Sequence, residues 1–151
     1  MIKNYLLGRD AKLYAGTAGS TPSTEIKDIK NLGINLNQAE IDVTTRSAKG
    51  WKAVAGGLRE AEISFDLLVA KGSTEAKQML NAFKGGEGGT ATYLALKIID
   101  AVTEGIFDFE ADCLITECSQ QQDLEEAIVY AVKAKPTIYD DARVPTLTVT
   151  A

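Results

Sequence analysis

The chain contains no histidine, and that single absence removes much of ordinary enzyme chemistry. Ser-His-Asp and Cys-His nucleophile pairs, zincin motifs and most zinc sites all depend on an imidazole. Only two cysteines are present, too few to complete a structural zinc tetrahedron. Cys113 and Cys118 lie five positions apart, and on a strand an odd spacing places them on opposite faces. At ~3.3 Å per residue they stand roughly 16 Å apart, beyond disulfide reach, so two buried reduced thiols are expected. No run approaches the roughly 18 consecutive apolar residues of a membrane span. The first ten residues lack the apolar stretch of a signal peptide, so folding in a cytoplasm is expected. Cationic charge is also short, with 16 Lys and Arg against 21 Asp and Glu, a net of −5. Such a balance lacks the footprint of a nucleic-acid binder, whose affinity comes mainly from cations on phosphates.

What remains is the composition of an ordinary globular domain, 151 residues with 45% hydrophobic and 25% charged. That length buries a core without disulfides or metals, and nothing marks a second domain. The pattern is strand after strand with one convincing helix. Ala11 to Gly16 is a short strand, followed by a polar loop from Thr17 to Thr24. Ile26 to Val43 reads as two strands, or as one long strand with a bend or bulge. The polar loop Thr44 to Gly50 leads into the only tryptophan, Trp51, and Gly56-Gly57 is expected to break the chain again. Ile63, Phe65, Leu67 and Val69 alternate with Glu62, Ser64 and Asp66, the signature of a half-buried antiparallel strand.

The helix is expected over Thr74 to Lys84. Ser73 is a good N-cap, Glu75 complements the first turn, and Gly85 suits the position just past the end. Ala76, Met79, Leu80 and Phe83 form its apolar stripe. After Gly85 to Gly89 come apolar rows at Leu94, Leu96 and Ile98, then at Phe107, Phe109, Ala111, Cys113 and Ile115. A last row, Ile128, Tyr130, Val132 and Ala134, ends at Pro136, and Ser119 to Asp123 reads as the turn before it. Leu147 to Val149 is a possible short strand within a C-terminal arm. The fold class is therefore mainly β, a β-sandwich or partly closed barrel with one flanking helix.

Three features invite a chemical reading. The glycines of Gly85 to Gly89 close a helix rather than open one, so they fit a helix stop better than a phosphate cradle. Asp108, Glu110 and Asp112 share one strand face, a comb that suits a solvated surface or the wall of an anion-repelling channel. Trp51 sits among Arg46, Lys49, Lys52 and Arg59 and is either packed inward or an interface anchor whose basic neighbours meet acidic patches on another copy. No catalytic, metal or cofactor residues are nominated.

The order of these features resembles the major tail tube proteins of long-tailed bacteriophages. The carriers are Ile41-Asp42-Val43-Thr44-Thr45-Arg46, Gly50-Trp51, Gly57 to Asp66, the single helix, and Lys133-Ala134-Lys135-Pro136-Thr137. The likeness runs from about Gly8 to Thr137. It implies a single tail-tube-like domain with an N-terminal arm over about 1–10 and a C-terminal arm over about 137–151. It further implies a structural subunit, not an enzyme, that closes into hexameric rings stacking into a hollow tube for DNA ejection. The partners implied are further copies, other tail proteins and DNA passing without specific binding, with no membrane and no cofactor, in a virion tail assembled in the bacterial cytoplasm. Thr44, Thr45, Arg46, Lys49, Trp51, Lys52 and Arg59 become candidate contacts between subunits, and Asp108, Glu110 and Asp112 a candidate acidic lumen or solvent face. A tube protein of a secretion or contractile injection system shares the resemblance, and a monomeric β-sandwich binding module is the alternative from another class.

Overall fold

Alternation of apolar and polar residues sets the architecture. A computed structural model describes residues 5–85, 93–139 and 143–149. Its elements are β1 (Lys12–Thr17), β2 (Thr24–Ile26), β3 (Ile29–Asp42), β4 (Val54–Leu68), α1 (Thr74–Lys84), β5 (Leu94–Ile99), β6 (Phe107–Gln121), β7 (Val129–Thr137) and β8 (Thr146–Val149). All strand pairs are antiparallel, in the order β2-β1-β5-β6-β7-β4-β3, with β8 beside the first residues of β6.

The two ends of that order are neighbours in the chain. Only Lys27 and Asp28 separate β2 from β3, a link that spans at most about 11 Å. The Leu68 amide donates to the Asp28 carbonyl at 2.8 Å and pins the junction. The sheet therefore curls until its edges meet, giving the partly closed form of the expected architecture. Its inner face makes one core of Leu13, Ile26, Phe65, Leu96, Phe109 and Val132, among others, closed on one side by α1.

Helix α1 has the expected bounds, and the Ser73 hydroxyl accepts from the Ala76 amide at 3.3 Å. Gly85 takes a positive φ of 78°, which glycine adopts at little cost. Gly86 to Gly89 lie outside the described residues. The buried stripe differs from the expectation, because Ala76, Met79 and Ala82 face the core while Leu80 and Phe83 stay exposed. The helix touches the sheet along a single i, i+3 ridge, which leaves the adjacent apolar row outside.

Long-range pairing moves three other boundaries. Gly56-Gly57 does not end a strand, since β4 passes straight through it. The glycines oppose an irregularity between Gln38 and Glu40, where a Cβ on Gly56 would strike the Gln38 amide. The Gln38 side chain can swing aside, but a Cβ on Gly57 would sit 3.1 Å from both the Cβ and the carbonyl of Ala39, so the close strand approach favours glycine at position 57. Ser119 to Gln121 extend β6 by pairing with Ala131 to Val129, and the turn falls later, at 122–128. A bulge between Ile115 and Glu117 shifts the parity of β6, so Cys118 packs on the same core as Cys113 instead of facing away.

The C-terminal segment also docks. β8 pairs with Phe107 to Glu110, and Arg143 donates to Glu110 at 3.0 Å while its Nε stands 3.5 Å from Asp112. Asp112 is only 2% exposed, and its other oxygen accepts the Gly19 amide at 3.1 Å. Arg143 is thus the countercharge for a buried carboxylate.

Replacing Arg143 by Met should cost about 3 kcal/mol in urea unfolding, because it leaves the buried Asp112 carboxylate without its countercharge. Adding Asp112→Asn should recover most of that loss. A second expectation concerns thiols. Burial, with the Asp112 charge second, pushes the Cys113 thiol up to about 12. Its folded-state pKa exceeds the ordinary value of 9.0, so its stabilising contribution is complete below pH 9 and fades as pH climbs toward 12. At pH 8 a chromogenic disulfide should leave Cys113 untouched in the native chain and titrate both cysteines in urea.

Candidate assembly interface

β3 and β4 overrun the barrel. β4 meets β7 only from Ile63 to Leu68, and from Glu62 back to Val54 its sole partner among the described residues is β3. A two-stranded ribbon, residues 35–42 against 54–62, therefore stands off the barrel by about 25 Å. A lone ribbon of this kind is marginal in water. It nevertheless exposes Leu36, Ile41, Val43 and Val54 by about half, Leu58 by 84% and Trp51 by 81%. The Leu36–Ala61 pair continues the row of Ile34 and Ile63, carrying the core face outward without a cover.

The ribbon tip is built rather than loose. The Val43 amide donates to Ala53 at 3.0 Å, and the Thr44 hydroxyl accepts from the Ala53 amide at 2.9 Å. Asp42 accepts from Thr44 at 2.9 Å, and hydrogen bonds from Thr44 hold its carboxyl below the usual range. Thr45 shares a hydrogen with Ser47 at 2.7 Å as the chain enters a 3-10 turn over Arg46–Ala48. Lys49 and Gly50 then take positive φ of 54° and 85°, reversing the chain so that Trp51 points outward.

Of the residues singled out in the sequence, Arg46, Lys49, Trp51 and Lys52 converge on this tip with exposed side chains. Thr44 and Thr45 lie there too, with their hydroxyls engaged in the turn itself. Arg59 stands apart, opposite Gln38 along the ribbon. The acidic comb is not a row of free carboxylates. Asp108 lies 3.6 Å from Lys97, Glu110 holds Arg143, and Asp112 is buried beneath the arm and the Gly19 loop. Sequence alternation places such residues on one face but cannot show what covers that face.

The polar side of β4 that the alternation showed belongs to a larger polar face. β3, β4, β7 and the far half of β6 form a four-strand sheet whose side away from the core carries Asn35, Asn37, Glu60, Glu62, Asp66, Glu117, Lys133 and Lys135. Two of its edges lack a strand partner among the described residues. They are the outer edge of β3 and the edge of β6 beyond Cys113, where β5 ends. The signal was present in Glu60-Ala61-Glu62-Ile63-Ser64-Phe65-Asp66, an alternation too long for one small core.

A cleft of about 450 Å³ lies beside Tyr14, Lys97 and Asp108, and the Lys97 ammonium stands 3.6 Å from the Asp108 carboxylate there. No helix among the described residues is long and apolar enough to cross a membrane.

The sequence matches no protein-family model and no curated protein. Solved structures do match. The tail of an empty gene transfer agent particle, determined with C6 symmetry, aligns at a TM-score of 0.69 and 20% identity, covering 96% of this chain and 98% of that one. The SPP1 tail tube aligns at 0.66 and 9%, over 97% of this chain and 80% of the other. The six-fold symmetrised baseplate of the anti-feeding prophage aligns at 0.62 and 7%, over 99% and 98%. At such low identity it is the backbone path that is shared, and this chain has the fold of these tail proteins.

Proposed function

We propose that the chain is a structural subunit that closes into six-membered rings and stacks them into a hollow tail tube through which DNA passes. The observation that carries this reading is the β3–β4 ribbon, an exposed apolar two-stranded element that needs neighbours. Pairing the free edge of β3 in one copy with the free edge of β6 in the next satisfies both rows of backbone groups. Such a head-to-tail contact closes into a ring when its rotation is right. The six-fold symmetry of the gene transfer agent tail and of the prophage baseplate supports the number six.

In that ring the polar side of the four-strand sheet faces the lumen. Glu60, Glu62, Asp66 and Glu117 interleave with Lys30, Lys133 and Lys135, four carboxylates against three ammonium groups. A hydrated wall of mixed and slightly negative charge offers phosphates no continuous cationic track, so DNA slides along it. The acidic comb is assigned no part in that wall, since Asp112 is covered within the monomer and Asp108 and Glu110 face Lys97 and Arg143.

Negative-stain electron microscopy beside sedimentation tests the reading. The purified chain should give rings or tubes of uniform width as concentration rises. Leu36→Lys with Ile41→Lys should leave the unfolding midpoint nearly unchanged, since both side chains are half exposed in the monomer, and should abolish the rings. Rings that persist in that variant, or a wild-type chain that stays monomeric at every concentration, would contradict it.

A further inference from the structure

The two ends of the four-strand sheet carry opposite charge. Loop 43–53 at the ribbon tip contains Arg46, Lys49 and Lys52 and no carboxylate. The β6–β7 turn, 122–128, contains Asp123, Glu125 and Glu126 and no cation. Register places them at opposite ends. Val129, the first residue of β7, pairs with Leu68 at the far end of β4, and the Val69 amide donates to Ile128 at 3.0 Å. The tip lies at the other end of β4, before Val54, about 46 Å away along the strand.

Each end also presents one apolar side chain more exposed than its neighbours. Trp51 is 81% exposed within the basic tip, and Leu124 is fully exposed within the acidic turn. Among the described residues none of these six charged groups belongs to an ion pair. An apolar anchor ringed by charge of one sign at one end thus faces its complement at the other.

We infer that the Trp51 tip of one copy docks on the Leu124 turn of a copy in the next ring, which makes this pair of surfaces the axial contact of the tube. The inference rests on the tube reading and adds what receives the tip. A contact between opposite ends is heterologous, so it repeats without limit along an axis. Burial of Trp51 against Leu124 supplies the anchor, and the charged rims fix polarity, since tip-to-tip or turn-to-turn approach sets like charges together. The tip is pre-shaped by its Thr44 and Ala53 hydrogen bonds, so docking loses little chain entropy.

Zero-length carbodiimide cross-linking of the assembled wild-type protein, followed by peptide mass spectrometry, tests the contact directly. A link from Lys49 or Lys52 to Glu125 or Glu126 cannot form within one chain across that span, so its recovery reports contact between copies. Asp123→Lys with Glu125→Lys and Glu126→Lys should cut stacking about tenfold or more while single rings persist. Combining it with Arg46→Glu, Lys49→Glu and Lys52→Glu in the same chain should restore stacking, whereas Lys71→Glu, near the same end as the turn, should change nothing. Tubes that form without tip–turn links, or that survive the turn reversal, overturn this inference and leave the tube reading standing. A chain that yields neither links nor rings overturns both.

Discussion

Three strands of the sheet outrun the core they share. β3, β4 and β6 are 14, 15 and 15 residues long, while β1, β2 and β5 are 6, 3 and 6. Only the overlap can be buried inside one chain, so the monomer satisfies its strands along half their length. Everything beyond the overlap is left with open backbone edges and apolar side chains in water. Those are the conditions under which strands recruit other strands. The compact half supplies stability, and in the proposed assembly the overrunning half supplies the surfaces for association.

The devices that hold the compact half also shape the projecting one. Gly57 lets β3 approach β4 closely at the irregularity beside Gln38, which keeps the ribbon paired where no third strand supports it. Arg143 fastens the C-terminal segment over Asp112 and covers β6 where β8 lies. β5 and β8 together cover β6 as far as Cys113, and one edge of its far half has no strand partner among the described residues.

Local signals in the sequence located what local physics decides. The Ser73 cap and Gly85 stop bounded the helix to the residue, and period-two alternation located the buried rows of β4 and β6. What was missed depends on partners far away in the chain. The bulge that turns Cys118 inward comes from the pairing of β6 with β7, and the burial of Asp112 needs Gly19 and Arg143. The glutamine-rich end of β6 looked like a turn because its side chains are polar, yet Gln120 reaches the Tyr130 hydroxyl at 2.8 Å across the paired strands. The basic residues around Trp51 were visible as a cluster. Their placement at one pole of a long sheet, opposite the acidic turn, was not.

In the proposed tube, other copies of the chain complete the open strand edges. Amide hydrogen exchange, followed in the dilute monomer and in the assembled form, reads those edges directly. In the monomer, fast exchange is expected for the β3 amides that point away from β4 and for the β6 amides beyond Cys113 that point away from β7, with protection rising by orders of magnitude on assembly. The core amides of β4 from Ile63 to Leu68 should be protected in both states. Unchanged exchange along β3 and β6 in an assembled sample would mean that copies meet elsewhere, and would contradict the account.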